Sequence, residues 1–219
     1  NIIMTCDVVD EVPKVEHDGF EDVTGQEDEI IPMVAYGGLD GYVNVFDLCH
    51  LLDKESKLKR LARKKHQMEG AKAAVRTCKF IPGSGYLAVA GDFLNVMVYD
   101  PQHNCLPITS IATDKNGVVN PGYSLSFSFD GAYGAVGDST GVYVFEIRKE
   151  DESAQVLFKI QTESRSFPCF CKNSSNDNQS EEDSKLVVGS FAKTVCVLED
   201  VLKHGPPVSM LNEDVDSIN

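Results

Sequence analysis

The sequence predicts an all-β chain made of a repeated unit of short antiparallel strands, and three observations predict it. Four segments share one pattern, an apolar strand, a glycine, a polar turn, then Val-x-Val, an apolar residue and an acid: Val34 to Asp47, Leu87 to Asp100, Tyr133 to Glu146 and Lys185 to Glu199. The Val-x-Val pairs fall at 43/45, 96/98, 142/144 and 195/197, so the unit recurs after 53, 46 and 53 residues, and glycines 38, 91, 137 and 189 keep step. Val-x-Val alternation puts two β-branched residues on one face, as a half-buried strand requires.

The other strands of each unit follow in order. Leu39-Asp40-Gly41 is a tight-turn signal, because glycine accepts positive φ and the aspartate caps the turn. Ahead of the motif a second apolar strand recurs at Val75 to Phe80, Tyr123 to Phe129 and Phe167 to Cys171. It ends in turn chemistry at Pro82-Gly83-Ser84-Gly85 and Asp130-Gly131. Each unit therefore supplies at least three strands, and the residues after the acid supply a fourth, outer one.

Gly37-Gly38-Leu39-Asp40-Gly41-Tyr42-Val43-Asn44-Val45-Phe46-Asp47-Leu48 resembles the end of a WD40 repeat, as does Phe127-Ser128-Phe129-Asp130-Gly131-Ala132-Tyr133 running on to Val144-Phe145-Glu146-Ile147. The resemblance covers about Ile30 to Asp200 and implies a WD40-like β-propeller with four-stranded blades around a central channel. Four blades are expected, as part of a larger ring of about seven, with residues 1–219 a fragment of one propeller domain. The chain holds no tryptophan; Phe46, Tyr99, Phe145 and Leu198 stand at the Trp position. No Gly-His pair precedes a blade, so the family's hydrogen-bonded tetrad is not expected, and only Asp40 matches its turn aspartate. Pro206 to Asn219 reads as an outer strand followed by the first strand of another blade, Val215 to Ile218.

Three insertions interrupt the units. Residues 7–30 carry ten acids against Lys14, a local net of −9, and read as an acidic loop. Residues 49–70 are expected to form an amphipathic helix, with Leu51, Leu58, Leu61 and Met68 on one stripe and Lys57, Lys59, Arg60, Arg63, Lys64 and Lys65 on the other faces. Those six basic residues are the candidate partner-binding set, on a helix packed against the propeller rim or another subunit. Residues 172–185 are low-complexity and polar, and are expected to be disordered. They include sequons at Asn173 and Asn178, and Ser180 stands before three acids, as an acid-directed kinase prefers.

The formal net charge of −14 opposes binding to a phosphate backbone, and no aromatics interleave the basic stretch, so nucleic acid is not an expected partner. The longest uncharged apolar run, Ile30 to Leu39, is too short to span a membrane. The chain opens at Asn1 without a charged-then-apolar leader, so no signal peptide is read. Seven scattered cysteines are expected as reduced, mostly buried thiols in cytoplasm or nucleus. Cys169 and Cys171 lack a second pair to complete four zinc ligands, so no metal is expected. The five histidines form no H-x-x-x-H pair, and neither Gly-x-Ser-x-Gly nor a phosphate cradle occurs, so no catalytic site, cofactor or small-molecule substrate is expected. The expected function is a non-catalytic scaffold among other protein subunits. A substrate-recruiting subunit of a ubiquitin ligase and a chromatin or RNA-processing subunit are the alternatives.

Overall fold

The structure, a computed structural model, describes residues 2–9, 32–48, 59–65, 67–68, 71–112, 121–148, 153–162, 164–172, 184–191 and 195–198. Every regular element among them is a strand. The first antiparallel sheet holds β1 (Ile3–Val9), β2 (Met33–Gly38), β3 (Tyr42–Asp47) and β4 (Lys59–Lys65), in that order. A two-stranded ribbon of β5 (Gln67–Met68) and β6 (Ala71–Lys72) leads onward. The second sheet runs β7 (Val75–Phe80), β8 (Leu87–Gly91), β9 (Asn95–Asp100), β10 (Leu106–Ala112). The third runs β11 (Ser124–Phe127), β12 (Tyr133–Gly137), β13 (Gly141–Arg148), β14 (Ser153–Gln161), and β15 (Ser166–Lys172), β16 (Ser184–Ser190) and β17 (Val195–Leu198) make the fourth.

The first to fourth sheets are the predicted units, called blades 1 to 4 in chain order, each a meander whose first strand lies beside the first strand of the next, β1 by β7, β7 by β11 and β11 by β15. Hydrophobic cores lie between the sheets, and the strand patterning explains why. In β8 every residue is buried, because Leu87 and Val89 pack on Val43 and Val45 of the first blade while Ala88 and Ala90 face Phe145 and Tyr143 of the third. A third core joins Val142, Val144 and Phe158 to Phe170, Leu186 and Val188 of the fourth blade. The inner strands are also tied by polar contacts. Cys78 N donates to Thr5 Oγ1 at 3.2 Å, Phe80 N to Asp7 Oδ2 at 2.8 Å, and Phe170 N to Ser126 Oγ at 3.0 Å.

Two of the residues at the Trp position close these cores. Phe145 is fully buried between blades 2 and 3, edge-on to Phe127, and Tyr99 is buried between blades 1 and 2. Phe46 instead stacks on Tyr36, centroids 5.8 Å apart, on the face of blade 1 turned away from blade 2. The strand-ending acids are architectural in part: buried Asp100 accepts from Gln102 N and His103 N and pairs with His103 Nδ1 at 2.6 Å.

Where 49–70 is described, the expected helix gives way to strand, at Lys59–Lys65 and Gln67–Met68. Residues 49–58 lie outside the described residues, Lys59–Lys65 is the outer strand of blade 1, and Gln67–Met68 belongs to the ribbon. The helical stripe misleads because of one β-bulge. Val45 pairs Ala62 and Phe46 pairs Arg60, so Leu61 is an extra residue and the apolar positions no longer alternate. Pairing with β3 satisfies one side of the β4 backbone, and a lysine- and arginine-rich sequence suits the sheet edge that its other side presents. The insertion bounds also shift. Asp7, Val8 and Val9 belong to β1, whereas 10–31 lie outside the described residues, and of 172–185, Lys172, Ser184 and Lys185 are strand residues while 173–183 lie outside. Among the described cysteines the thiols are not mostly buried: Cys78 and Cys105 are buried, Cys6 and Cys169 exposed and Cys171 half-buried, all free.

Candidate functional site

The starts of the inner strands and the turns after the second strands lie at one end of the blades, as the pairings Val75 with Gly91 and Ser124 with Gly137 require. Backbone bonds stitch this end together: Asp92 N to Ala74 O at 2.9 Å, Gly122 N to Gly91 O at 3.1 Å, and Ser166 N to Asp138 O at 3.0 Å. Gly137 is required here, because a Cβ would run into the carbonyl of Ser166 on blade 4. The Asp138 carboxylate closes the adjoining turn, Oδ1 accepting from Thr140 N, Thr140 Oγ1 and Gly141 N.

On this stitched end three blades bring together side chains distant in sequence. Arg76 of β7 forms a bidentate pair with Asp92, Nε to Oδ1 at 2.5 Å and Nη2 to Oδ2 at 3.0 Å. The hydrogen bond to Asp92 raises the Arg76 pKa further above its ordinary value, fixing a permanent cation. Tyr123, at the entry to β11, has two guanidiniums at its ring, Arg165 at 4.3 Å and Arg76 at 5.2 Å from the centroid. Arg165 is exposed, and its carbonyl accepts from Phe191 N at 3.1 Å. Phe191, 65% exposed, meets Phe167 edge-on with centroids 5.2 Å apart. From there the face of blade 4 turned away from blade 3 continues with Val195 at 72% and Val197 at 53% exposure. Arginine and aromatic residues are enriched at protein interfaces, and arginine and tyrosine among the residues that dominate their binding energy.

The structure divides the six predicted basic residues. Lys57 lies outside the described residues, and Lys59 opens β4 in register with Asp47. Arg60, Arg63 and Lys65 share the outward face of blade 1, opposite Phe46, Asn44 and Tyr42, and all three are exposed. The Arg63 guanidinium sits 3.7 Å from the Tyr42 ring centroid. Lys64 points to the other face, its Nζ 5.5 Å from the Tyr99 ring at the junction with blade 2. None of Arg60, Arg63, Lys64 and Lys65 joins the Arg76–Tyr123–Arg165 cluster, which the sequence reading missed. Its signal is positional: each of the three stands at the start of an inner strand, visible once those strands rather than the Val-x-Val motifs are aligned.

Among the described residues no group of three or more His, Cys, Asp or Glu is placed to hold a metal ion, and no helix is long and apolar enough to cross a membrane. Cys169 and Cys171 lie with their sulfurs 3.9 Å apart, and burial together with the contact to Cys171 raises the Cys169 pKa.

No protein-family model and no curated protein sequence matches the chain. Among solved structures it is similar to Sqt1 of Saccharomyces cerevisiae, with a TM-score of 0.62 and 16% identity over 89% of this chain and 44% of Sqt1. The chain thus spans less than half the length of that protein, and at this identity the likeness is one of fold, in keeping with the WD40 resemblance of the repeats.

Proposed function

We propose that the chain is a non-catalytic protein-interaction scaffold, a WD40-like subunit of a multi-protein complex inside the cell. The observation that carries this reading is the convergence of Arg76, Tyr123 and Arg165 from three blades onto one rim. A rigid sheet scaffold holds these side chains in place, so little side-chain freedom is lost when a partner docks. The outer faces of blades 1 and 4 carry exposed Val8, Val195 and Val197, which supports further blades of a larger ring of about seven packing there.

The test is to isolate the protein from its native source, measure subunit masses and map cross-links from the exposed Lys65. Links to a second polypeptide at a mass above that of one chain support the scaffold. Monomer mass with links only inside the chain argues against it.

A further inference from the structure

The seam between blades 2 and 3 holds a pocket that the rim cluster does not use. It gives the centre of a water-sized sphere about 10 Å³, the space of one water, and Phe93, Leu94, Asn95, Gly122, Asp138 and Tyr143 are among its walls. It adjoins the cluster, since Gly122 precedes Tyr123 and the Asp138 carbonyl accepts from Ser166 N, next to Arg165. Because it lies between two adjacent blades, with exposed Leu94 in its wall, further blades of a larger ring leave it uncovered. Asp138 is only 2% exposed, and its two oxygens differ. Oδ1 accepts from Thr140 N, Thr140 Oγ1 and Gly141 N, whereas Oδ2 is buried without a hydrogen-bond partner. No cation among the described residues pairs with this carboxylate. Lys159, which reaches the same turn, is held by Thr140 Oγ1 at 2.8 Å and lies 4.6 Å from the Tyr143 ring centroid, and Arg76 is taken by Asp92. A buried carboxylate oxygen without a donor is costly, so the pocket calls for a donor from outside the chain.

The geometry points to this pocket as the seat of a lysine ε-ammonium from a partner protein, its Nζ donating to Asp138 Oδ2 and its methylene stem lying against Phe93 and Leu94. Size and charge select the group. An ammonium is a compact point charge, close in size to the water it displaces, whereas a planar guanidinium is too broad for the space. Its charge-assisted bond to a carboxylate is roughly twice as strong as the neutral bond that water makes. A hard metal ion such as calcium takes about six or more oxygen ligands, and besides Asp138 only Asn95 and Tyr143 bring polar side chains to the lining. The apolar walls suit a lysine stem, which buries its methylenes along such surface. The inference rests on the scaffold reading and names one contact that its partner makes.

The test titrates the full chain, labelled with nitrogen-15, with n-butylammonium chloride, which carries the head and stem of a lysine side chain, and follows the backbone amides. The expected result is saturable shifts at Leu94, Thr140 and Gly141, with binding at least tenfold weaker in D138N, which keeps an oxygen for Thr140 and Gly141. n-Butylguanidinium is expected to bind at least fivefold more weakly, and potassium chloride at equal ionic strength to leave these amides unmoved. Those two arms use the parent alone, so they decide the matter if D138N does not fold. No saturable shift, equal binding by a folded D138N, or equal binding of n-butylguanidinium overturns the proposal. An equal response to potassium also overturns it and leaves a simple cation site. Partner capture from the native source that persists when n-butylammonium does not bind overturns the pocket and leaves the scaffold standing. Ammonium binding with no partner recovered overturns the scaffold reading and, with it, the protein source of the lysine.

Discussion

Arg165 of blade 4 lies with its guanidinium 4.3 Å from the ring centroid of Tyr123 in blade 3, across the seam where Ser166 N donates to Asp138 O. The pair joins two blades at the end where the inner strands begin, and Arg76 of blade 2 approaches the same ring at 5.2 Å. A charged and aromatic cluster built this way needs every seam beneath it to be rigid, so the fold and the site make predictions together.

Phe145 has no exposed surface and sits between blades 2 and 3. Phe145→Ala is expected to lower stability by about 3–5 kcal/mol, the range for large-to-small changes of buried aromatics. Phe129→Ser, at an exposed turn position, should change it by less than about 0.5 kcal/mol. Urea denaturation of the two variants checks the contrast.

Gly137 faces the Ser166 carbonyl across the seam of blades 3 and 4. Gly137→Ala is expected to cost about 1–3 kcal/mol through overpacking against backbone that has no room to give. Hydrogen exchange should show the loss first at the Ser166 amide, which donates to Asp138 O across the seam.

Asp138→Ala removes an acceptor used by Thr140 N, Thr140 Oγ1 and Gly141 N and leaves buried donors unpaired, at a cost of about 1–3 kcal/mol. Asp138→Asn keeps the amide oxygen as acceptor and should lose less. Thermal melts of both variants beside the parent give the order directly.

Burial pushes the Cys78 thiol up to about 12 and the Cys105 thiol up to about 11, from an ordinary value of 9.0. Both are expected to resist a thiol reagent at pH 8, while exposed Cys6 and Cys169 react. The linkage has a sign. Above pH 9 the unfolded chain ionises these thiols and the folded chain does not, so their contribution is intact below about pH 9. It is lost as pH rises toward 11 to 12. Denaturation midpoints at pH 8 and pH 10.5 test this, with the lower midpoint expected at pH 10.5 and a smaller drop in Cys78→Ala relative to its own pH 8 value.

The repeat made the blades legible because Val43 and Val45, Val96 and Val98, and Val142 and Val144 must alternate for a sheet to bury a face against its neighbour. The same logic failed at β4, where one extra residue at Leu61 breaks the alternation and leaves a spacing that also fits a helix. The basic residues from Lys59 to Lys65 were expected on a helix where the chain forms a strand, so their division between the two faces of that strand was hidden. The rim cluster was hidden for a different reason. Arg76, Tyr123 and Arg165 are neighbours only through the packing of three separate blades, which no local pattern encodes.

The central claim is that the rim captures a protein partner. The most direct measurement is quantitative affinity purification of the tagged chain from its native source, parent beside the Tyr123→Ala/Arg165→Glu variant, with circular dichroism confirming the same fold. The account predicts a partner recovered stoichiometrically with the parent and reduced at least tenfold with the variant. Equal recovery with both, or no partner with either, would contradict it.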